Sequence, residues 1–340
     1  MDAKATFHSQ YPNAIFLEHQ LNDKMVDYFR QRGWVDEDES VIAIDKPGEG
    51  NMNFVARVTT ERRSFIVKQA LPWVYKYPQV SAPIARGKME AIFYRLIEDD
   101  SVLQQYTPSL IGFDSQSHIL AQEDLGAGAD FTFLYRATEP MTIAQRDDLL
   151  LFLSHLHQIQ TEPTKVSSLE NRAMRELNHE HIFQYPFSKD NGLDLDTVLP
   201  GLQSVALSYQ QDTALKRRVA ELGEVYLQNG DTLLHGDFYP GSWLRVASGI
   251  KVIDPEFGFF GRPEFDVGVM VAHALITDTE VYSPEQVLAN YRAPGNFDES
   301  LARAFAGTEV MRRLLGLAQL PLPHTISQRE ALLQQAAAML

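Results

Sequence analysis

The sequence predicts an α+β fold in two lobes, a small β-rich N-terminal lobe over residues 1–123 and a larger α-helical C-terminal lobe over residues 124–340. Three observations predict it. Short runs of β-branched and aromatic residues fill the first third, helical periodicity dominates the remainder, and the Gly-rich stretch Leu125–Ala129 separates the two patterns. Independently, 340 residues set against roughly 150 per domain ask for about two cores.

In the first lobe, Val41–Ile44, Phe54–Val58 and Phe65–Lys68 read as strands, with the polar turn Thr59–Arg63 joining the last two. Pro83 opens a helix that runs to about Leu103, because Met89, Ile92, Phe93, Leu96 and Ile97 recur at helical spacing. The short apolar runs Leu110–Phe113 and Ile119–Gln122 complete the lobe. In the second lobe, Leu149–His157 is helical, a helix lies between Leu202 and Leu227, and three more are expected between Glu264 and Leu340. Thr232–Leu234, Trp243–Val246 and Ile250–Ile253 read as strands, and the loop His235–Ser242 lies between the first two.

Composition narrows the function. With 44% hydrophobic and 22% charged residues the chain is an ordinary globular protein, and a formal charge of −15 without a segregated basic patch argues against nucleic acid or an anionic bilayer as partner. The absence of cysteine excludes disulfides, thiolate nucleophiles and Cys-ligated zinc. Met1–Phe16 lacks a basic segment followed by an apolar core, so the expected location is the cytoplasm. The most apolar stretch, Phe265–Ile276, is too short to cross a bilayer and is interrupted by Asp266 and His273.

The chemistry-bearing residues cluster in the second lobe. Asp237 and Asp254 each leave the end of a short apolar strand, 17 positions apart, and Glu256 follows two residues later. Three carboxylates on neighbouring loops can divide the work of phosphoryl transfer from ATP, one orienting the attacking hydroxyl and the others holding Mg²⁺ against the phosphates. Taken alone, His-Gly-Asp is a chance turn and Asp254 a helix cap; the spacing of the pair favours the catalytic alternative. In the first lobe, Lys68 ends a strand where a phosphate-neutralising lysine belongs, and Glu90 on the next helix is placed to hold it. Either residue by itself reads as a surface charge, and it is their order along the chain that links them. The segment Gly48–Asn53, with Gly50, Asn51 and Asn53, lies between two strands and suits either a phosphate-covering loop or a plain hairpin turn. His155, His157, His179 and His181 lack the i, i+4 spacing of a zinc helix, so no transition metal is expected.

The residues His235-Gly236-Asp237, Asp254-Pro255-Glu256-Phe257, Val67-Lys68-Gln69-Ala70-Leu71-Pro72, Gly50-Asn51-Met52-Asn53 and Met311-Arg312-Arg313 together resemble the 5-methylthioribose kinase family. That family lies in the aminoglycoside-phosphotransferase branch of the protein-kinase-like fold, and the likeness covers nearly the whole chain. The resemblance implies an ATP- and Mg²⁺-dependent kinase acting on a sugar hydroxyl, with 5-methylthioribose, an intermediate of methionine salvage, as the expected acceptor and a homodimer as the expected assembly. Kinases of other small alcohols, such as an aminoglycoside, choline or another sugar, are the competing reading, and a catalytically silent nucleotide-binding scaffold is a further one.

By the same resemblance, Asp237 is the catalytic base, Lys68 the phosphate-binding lysine, and Asp254 with Glu256 the Mg²⁺ ligands. The backbone near Gln122, Glu123 and Leu125 meets the adenine, and Arg312 with Arg313 reaches the sugar. Asp266 buttresses the catalytic loop, and His235 orients it by hydrogen bonds. Kinase-like enzymes generally place a metal-binding Asn five residues after the base; here that position is Ser242, which leaves Glu256 to supply the missing oxygen. Trp73, with Tyr75 and Tyr77, is expected either to cover the thioether end of the substrate or simply to pack.

Overall fold

The computed structural model describes residues 3–48, 50, 52–136, 138–159 and 163–340, with residues 163–165 given by their backbone alone. Two compact units make up the chain, unit 1 comprising Met1–Ala127 with Asp254–Phe257 and unit 2 comprising Gly128–Ile253 with Gly258–Leu340. The division therefore falls four residues later than the expected 123/124. Asp124 and Gly126 are tied back into unit 1, because the Arg57 guanidinium donates to the Asp124 carboxylate at 2.7 and 2.9 Å and to the Gly126 carbonyl at 3.3 Å. Gly128 instead starts a strand of unit 2.

Unit 1 contains α1 (Ala3–Gln10), α2 (Asp23–Gln31), β1 (Val41–Asp45), β2 (Phe54–Thr60), β3 (Ser64–Gln69), β4 (Trp73–Val74), β5 (Tyr77–Ser81), α3 (Arg86–Leu96), α4 (Leu103–Tyr106), β6 (Leu110–Asp114) and β7 (Ile119–Glu123). Its antiparallel sheet has the order β1-β2-β3-β7-β6, with Lys68 opposite Val55 on one side and Leu120 on the other. Strand pleating divides the side chains of β3. Phe65 and Val67 join a core with Met25, Tyr28 and Phe29 of α2, while Lys68 projects from the opposite face. The periodicity of the first lobe predicts one helix, but α1 and α2 precede the sheet, and α2 is needed to bury the face that α3 does not cover. Asn22 caps α2 by accepting from the Met25 N–H at 3.1 Å. The helix expected to reach Leu103 ends at Leu96, and Asp100 starts the separate α4 by accepting from the N–H groups of Val102 and Leu103 at 2.9 Å.

Unit 2 contains β8 (Gly128–Asp130), α5 (Ile143–Leu156), α6 (Pro163–Ser168), α7 (Arg172–His179), α8 (Leu202–Gln211), α9 (Thr213–Leu227), β9 (Thr232–Leu234), β10 (Trp243–Val246), β11 (Gly249–Val252), β12 (Phe259–Gly261), α10 (Glu264–Thr277), α11 (Pro284–Asn290), α12 (Glu299–Leu315) and α13 (Ile326–Ala338). Where three helices are expected after Glu264, the described residues form four, since Ser283 caps the short α11 with Pro284 in its first turn. The long α10 is buried along almost its whole length, which explains its apolar sequence without a membrane. Among the described residues no helix is long and apolar enough to span one. Close approach of α10 and α12 depends on Gly268, where a Cβ would lie 2.7 Å from both the Ala302 carbonyl oxygen and the Phe305 Cβ. That crossing sets the charged residues of the two helices side by side.

Candidate active site

In unit 1 the Lys68 ammonium is buried and shared by two carboxylates, Glu90 Oε1 at 2.7 Å and Asp254 Oδ1. Burial alone would lower its pKa, but Asp254 and Glu90 outweigh that and hold it well above the usual lysine value. Asp254 presents 47% of its side chain to solvent and sits at φ +63°, a left-handed backbone uncommon for a residue with a Cβ. One turn before Glu90, the fully buried Arg86 acts as a hub. Its Nη1 donates to the carbonyls of Leu71 and Pro83 at 2.7 and 3.0 Å, and its Nη2 to those of Met52 and Trp73 at 3.0 and 3.3 Å. Its Nε donates to Asn53 Oδ1 at 2.9 Å and lies 3.4 Å from Glu256 Oε2.

Asn53 is thus turned inward, donating its Nδ2 to Glu256 Oε2 at 2.8 Å. Burial pushes the Glu256 carboxyl up to about 7, with Arg86 pulling the other way. Glu256 is thus held by Asn53 and faced by Arg86, whereas Asp254 presents an exposed carboxylate that fits a Mg²⁺ site well. Among the described residues no three His, Asp or Glu side chains are gathered as a metal cage. Gly50 closes the β1–β2 turn, since a Cβ there would meet the Asn53 carbonyl oxygen at 2.9 Å. Asn51 lies outside the described residues. Gln122 is buried near the end of β7 with its Oε1 unpartnered, Glu123 closes the strand by accepting from the Ser109 N–H at 3.0 Å, and Leu125 follows in the connecting chain. Trp73 departs from the substrate-contact expectation. It is 8% exposed and packs against Phe7, Ala14 and Leu71, so its ring is spent on a hydrophobic cluster.

In unit 2 the loop after β9 is held from behind. Asp266, in the first turn of α10, accepts from the His235 N–H at 2.6 Å and the Gly236 N–H at 2.9 Å. Gly236 adopts φ +82°, which lets the chain turn towards Asp237. His235 Nε2 lies 3.0 Å from the Ile253 carbonyl oxygen, and the buried Ser242 hydroxyl donates to the Asp237 carbonyl at 2.9 Å. The Asp237 carboxylate faces Arg313 Nη2 at 3.5 Å and Arg312 Nη1 at 3.9 Å. Burial raises its pKa and the two arginines oppose the rise. Asp237 Oδ1, Arg312 Nε and Arg313 Nη2 are all buried without a hydrogen-bond partner.

Glu309 accounts for the convergence of the twin arginines, since neighbouring helical residues point about 100° apart. It precedes them by three and four residues on α12 and binds both, Arg312 Nη1 at 3.0 Å and Arg313 Nε at 2.5 Å. Behind it stands His273, with Nε2 3.4 Å from Glu309 Oε1 and Nδ1 2.7 Å from the Tyr135 hydroxyl. Burial brings His273 down to about 4 and raises Tyr135 well above its ordinary value, so both the imidazole and the phenol are neutral and share one hydrogen bond. Arg313 also stacks 4.5 Å from the Tyr239 ring centroid. Sequence reasoning missed Glu309, His273, Tyr135, Tyr239 and Arg86. Only Glu309 carried a local signal, its i, i+3 and i, i+4 spacing to the arginine pair.

Residues 44–314 match the phosphotransferase enzyme family. A methylthioribose kinase of Pectobacterium atrosepticum is 29% identical over 275 residues, covering 75% of this chain and 65% of that protein. The methylthioribose kinase of Erwinia tasmaniensis is 32% identical over 267 residues, covering 74% and 64%. The match thus spans slightly less than two thirds of the length of these relatives. Among solved structures, a spectinomycin phosphotransferase with bound ADP and spectinomycin superposes with a TM-score of 0.54 at 14% identity, covering 95% of this chain and 98% of that one. At that identity the likeness establishes the shared protein-kinase-like fold.

Proposed function

This chain belongs to the phosphotransferase enzyme family, and on that premise we propose that it is a small-molecule kinase moving the γ-phosphoryl group of ATP to a sugar hydroxyl, with 5-methylthioribose as acceptor and its 1-phosphate as product. One observation carries the choice of a neutral acceptor: the half-buried base Asp237 is faced by two guanidinium groups, with one acceptor atom and two donor atoms left unsatisfied beside one another. A polyol answers that set, because each hydroxyl both donates and accepts. A cationic aminoglycoside or choline would bring further positive charge to a cluster whose two carboxylates are already matched by two arginines.

Asp237 accepts the proton of the attacking hydroxyl. Arg312 and Arg313 hold neighbouring sugar oxygens and offset negative charge that develops on the transferred group. Lys68, steadied by Glu90, neutralises nucleotide phosphate, and Asp254 is the carboxylate that would hold Mg²⁺. When bound, Mg²⁺ supplies positive charge that offsets the β- and γ-phosphates. Asp266 and Ser242 keep the Asp237 loop in place through the hydrogen bonds described above.

The test is ADP release from Mg-ATP across a panel of neutral sugars, including 5-methylthioribose, alongside choline and aminoglycosides. Turnover with 5-methylthioribose far above the amines is expected. Preference for a cationic acceptor would overturn the reading, and nucleotide binding without turnover on any acceptor would favour a silent scaffold.

A further inference from the structure

We infer that Glu309 is a positioning residue that holds the twin arginines off the catalytic base, leaving Asp237 open to the acceptor hydroxyl. The inference rests on the reading of Asp237 as the base. Two guanidinium groups beside a half-buried carboxylate would ordinarily close on it as direct hydrogen-bonded pairs, with N···O separations of about 2.7–2.9 Å. They do not do so here. Asp237 is 3.5 and 3.9 Å from Arg313 and Arg312, while Glu309 holds the same two side chains at 2.5 and 3.0 Å. Glu309 is 1% exposed, so its bonds to the arginines lie away from water, whereas the Asp237 side chain keeps 21% exposure.

The charges explain the arrangement. Glu309 and Asp237 carry two negative charges and Arg312 and Arg313 two positive, so the cluster is neutral as a whole. Burial pushes the Glu309 carboxyl up, but Arg312 and Arg313 outweigh it and keep it ionised. Neutral His273, aligned by Tyr135, faces Glu309 with a ring N–H and adds no charge. Were Glu309 uncharged, Asp237 would be the only anion of the cluster left to both arginines. They would close on its free oxygen, lower its affinity for a proton and block the hydroxyl.

Two measurements on Glu309→Gln test this, with ¹³C-labelled aspartate providing the first and Asp237→Asn assigning the signal. The Asp237 carboxyl is expected to titrate at least about one pH unit lower in Glu309→Gln, because a neighbouring negative charge has been removed. Turnover should fall about 10- to 100-fold with the KM for ATP within about twofold of the parent, and the double variant Glu309→Gln/Arg312→Gln, which restores neutrality, should recover part of the titration shift but not the turnover, since Arg312 also serves the acceptor. Should Glu309→Gln fail to fold, the same titration is read in Glu309→Asp, whose shorter side chain retracts the carboxylate and should lower the Asp237 titration by a smaller amount. An unchanged Asp237 titration in the variant that folds overturns the inference. The titration needs no acceptor, so a parent enzyme silent on every sugar would sink the functional proposal and leave this measurement decisive for Glu309.

Discussion

Unit 1 buries Lys68 and Arg86 among three carboxylates, Glu90, Asp254 and Glu256, whereas unit 2 buries Arg312 and Arg313 against two, Asp237 and Glu309. The first cluster keeps one carboxylate in excess and exposes Asp254, the arrangement expected where a cation and a polyanion are to be received together. The second balances its charges but leaves hydrogen-bonding atoms unsatisfied, as suits a neutral, hydroxyl-rich ligand. On the proposed reading, similar residue types would therefore serve different ligands, and the count of charges against donors distinguishes the two clusters. The two arginine arrangements differ in slack as well. Arg86 spends all its nitrogens on named acceptors, while Arg312 and Arg313 hold atoms in reserve.

The sharpest way to break this comparison is at the base itself. Asp237→Asn should reduce turnover by about 10²–10⁴-fold while Mg-ATP still raises the melting temperature. If nucleotide binding were lost instead, Asp237 would belong to the nucleotide side and the contrast between the clusters would fail. Lys68→Met should act in the opposite sense, weakening ATP binding together with a drop in turnover of about 10²-fold, measured by ATP titration and steady-state rates. A sharper comparison comes from stability. Arg86→Gln leaves the Asn53 amide oxygen and four backbone carbonyls without their donor and Glu256 without its facing charge, and should destabilise unit 1 by about 3–5 kcal/mol in denaturant melts. Arg312→Gln, with Arg313 still beside Glu309, should cost clearly less.

The smallest expected effects concern pH, and the two units should respond with opposite signs. Glu256 is raised in the fold from an ordinary 4.5 to about 7, so its contribution to stability is full below about 4.5 and is lost as pH rises towards 7. His273 is depressed from 6.5 to about 4, so its contribution is present above 6.5 and is lost as pH falls towards 4. In chelator, Glu256→Gln should flatten the loss of melting temperature on the alkaline side, and His273→Gln the loss on the acid side. A single variant that flattened both would contradict the separate assignments.

Much of the candidate site was legible because each residue sits at a local landmark. Lys68 lies in a β-branched strand, Asp237 and Asp254 leave strand ends, and Arg312 and Arg313 form a conspicuous doublet. Glu309 was within reach through its helical spacing to that doublet. Arg86 was not, since nothing in Pro83–Arg86 announces five acceptors drawn from three separate segments of chain. His273 and Tyr135 are 138 positions apart and acquire meaning only when α10 reaches α12 and the Tyr135 segment. Glu256 and Trp73 illustrate the converse. Glu256, expected as a metal ligand, is also set beside Arg86, and Trp73, expected either to cover the substrate or to pack, is packed in a hydrophobic cluster.

What the sequence by itself determined was the α+β division, the strands and helices that carry the acidic and basic residues, and the order of those residues, because these depend on periodicities of two and 3.6 that short segments impose on themselves. Tertiary structure alone decided which opposite charges meet, which carboxylate keeps an open oxygen, and how far the twin arginines stand from the base. Those outcomes depend on distances of a few ångströms between segments distant in sequence, and on water excluded only once the helices have closed, so no local pattern encodes them.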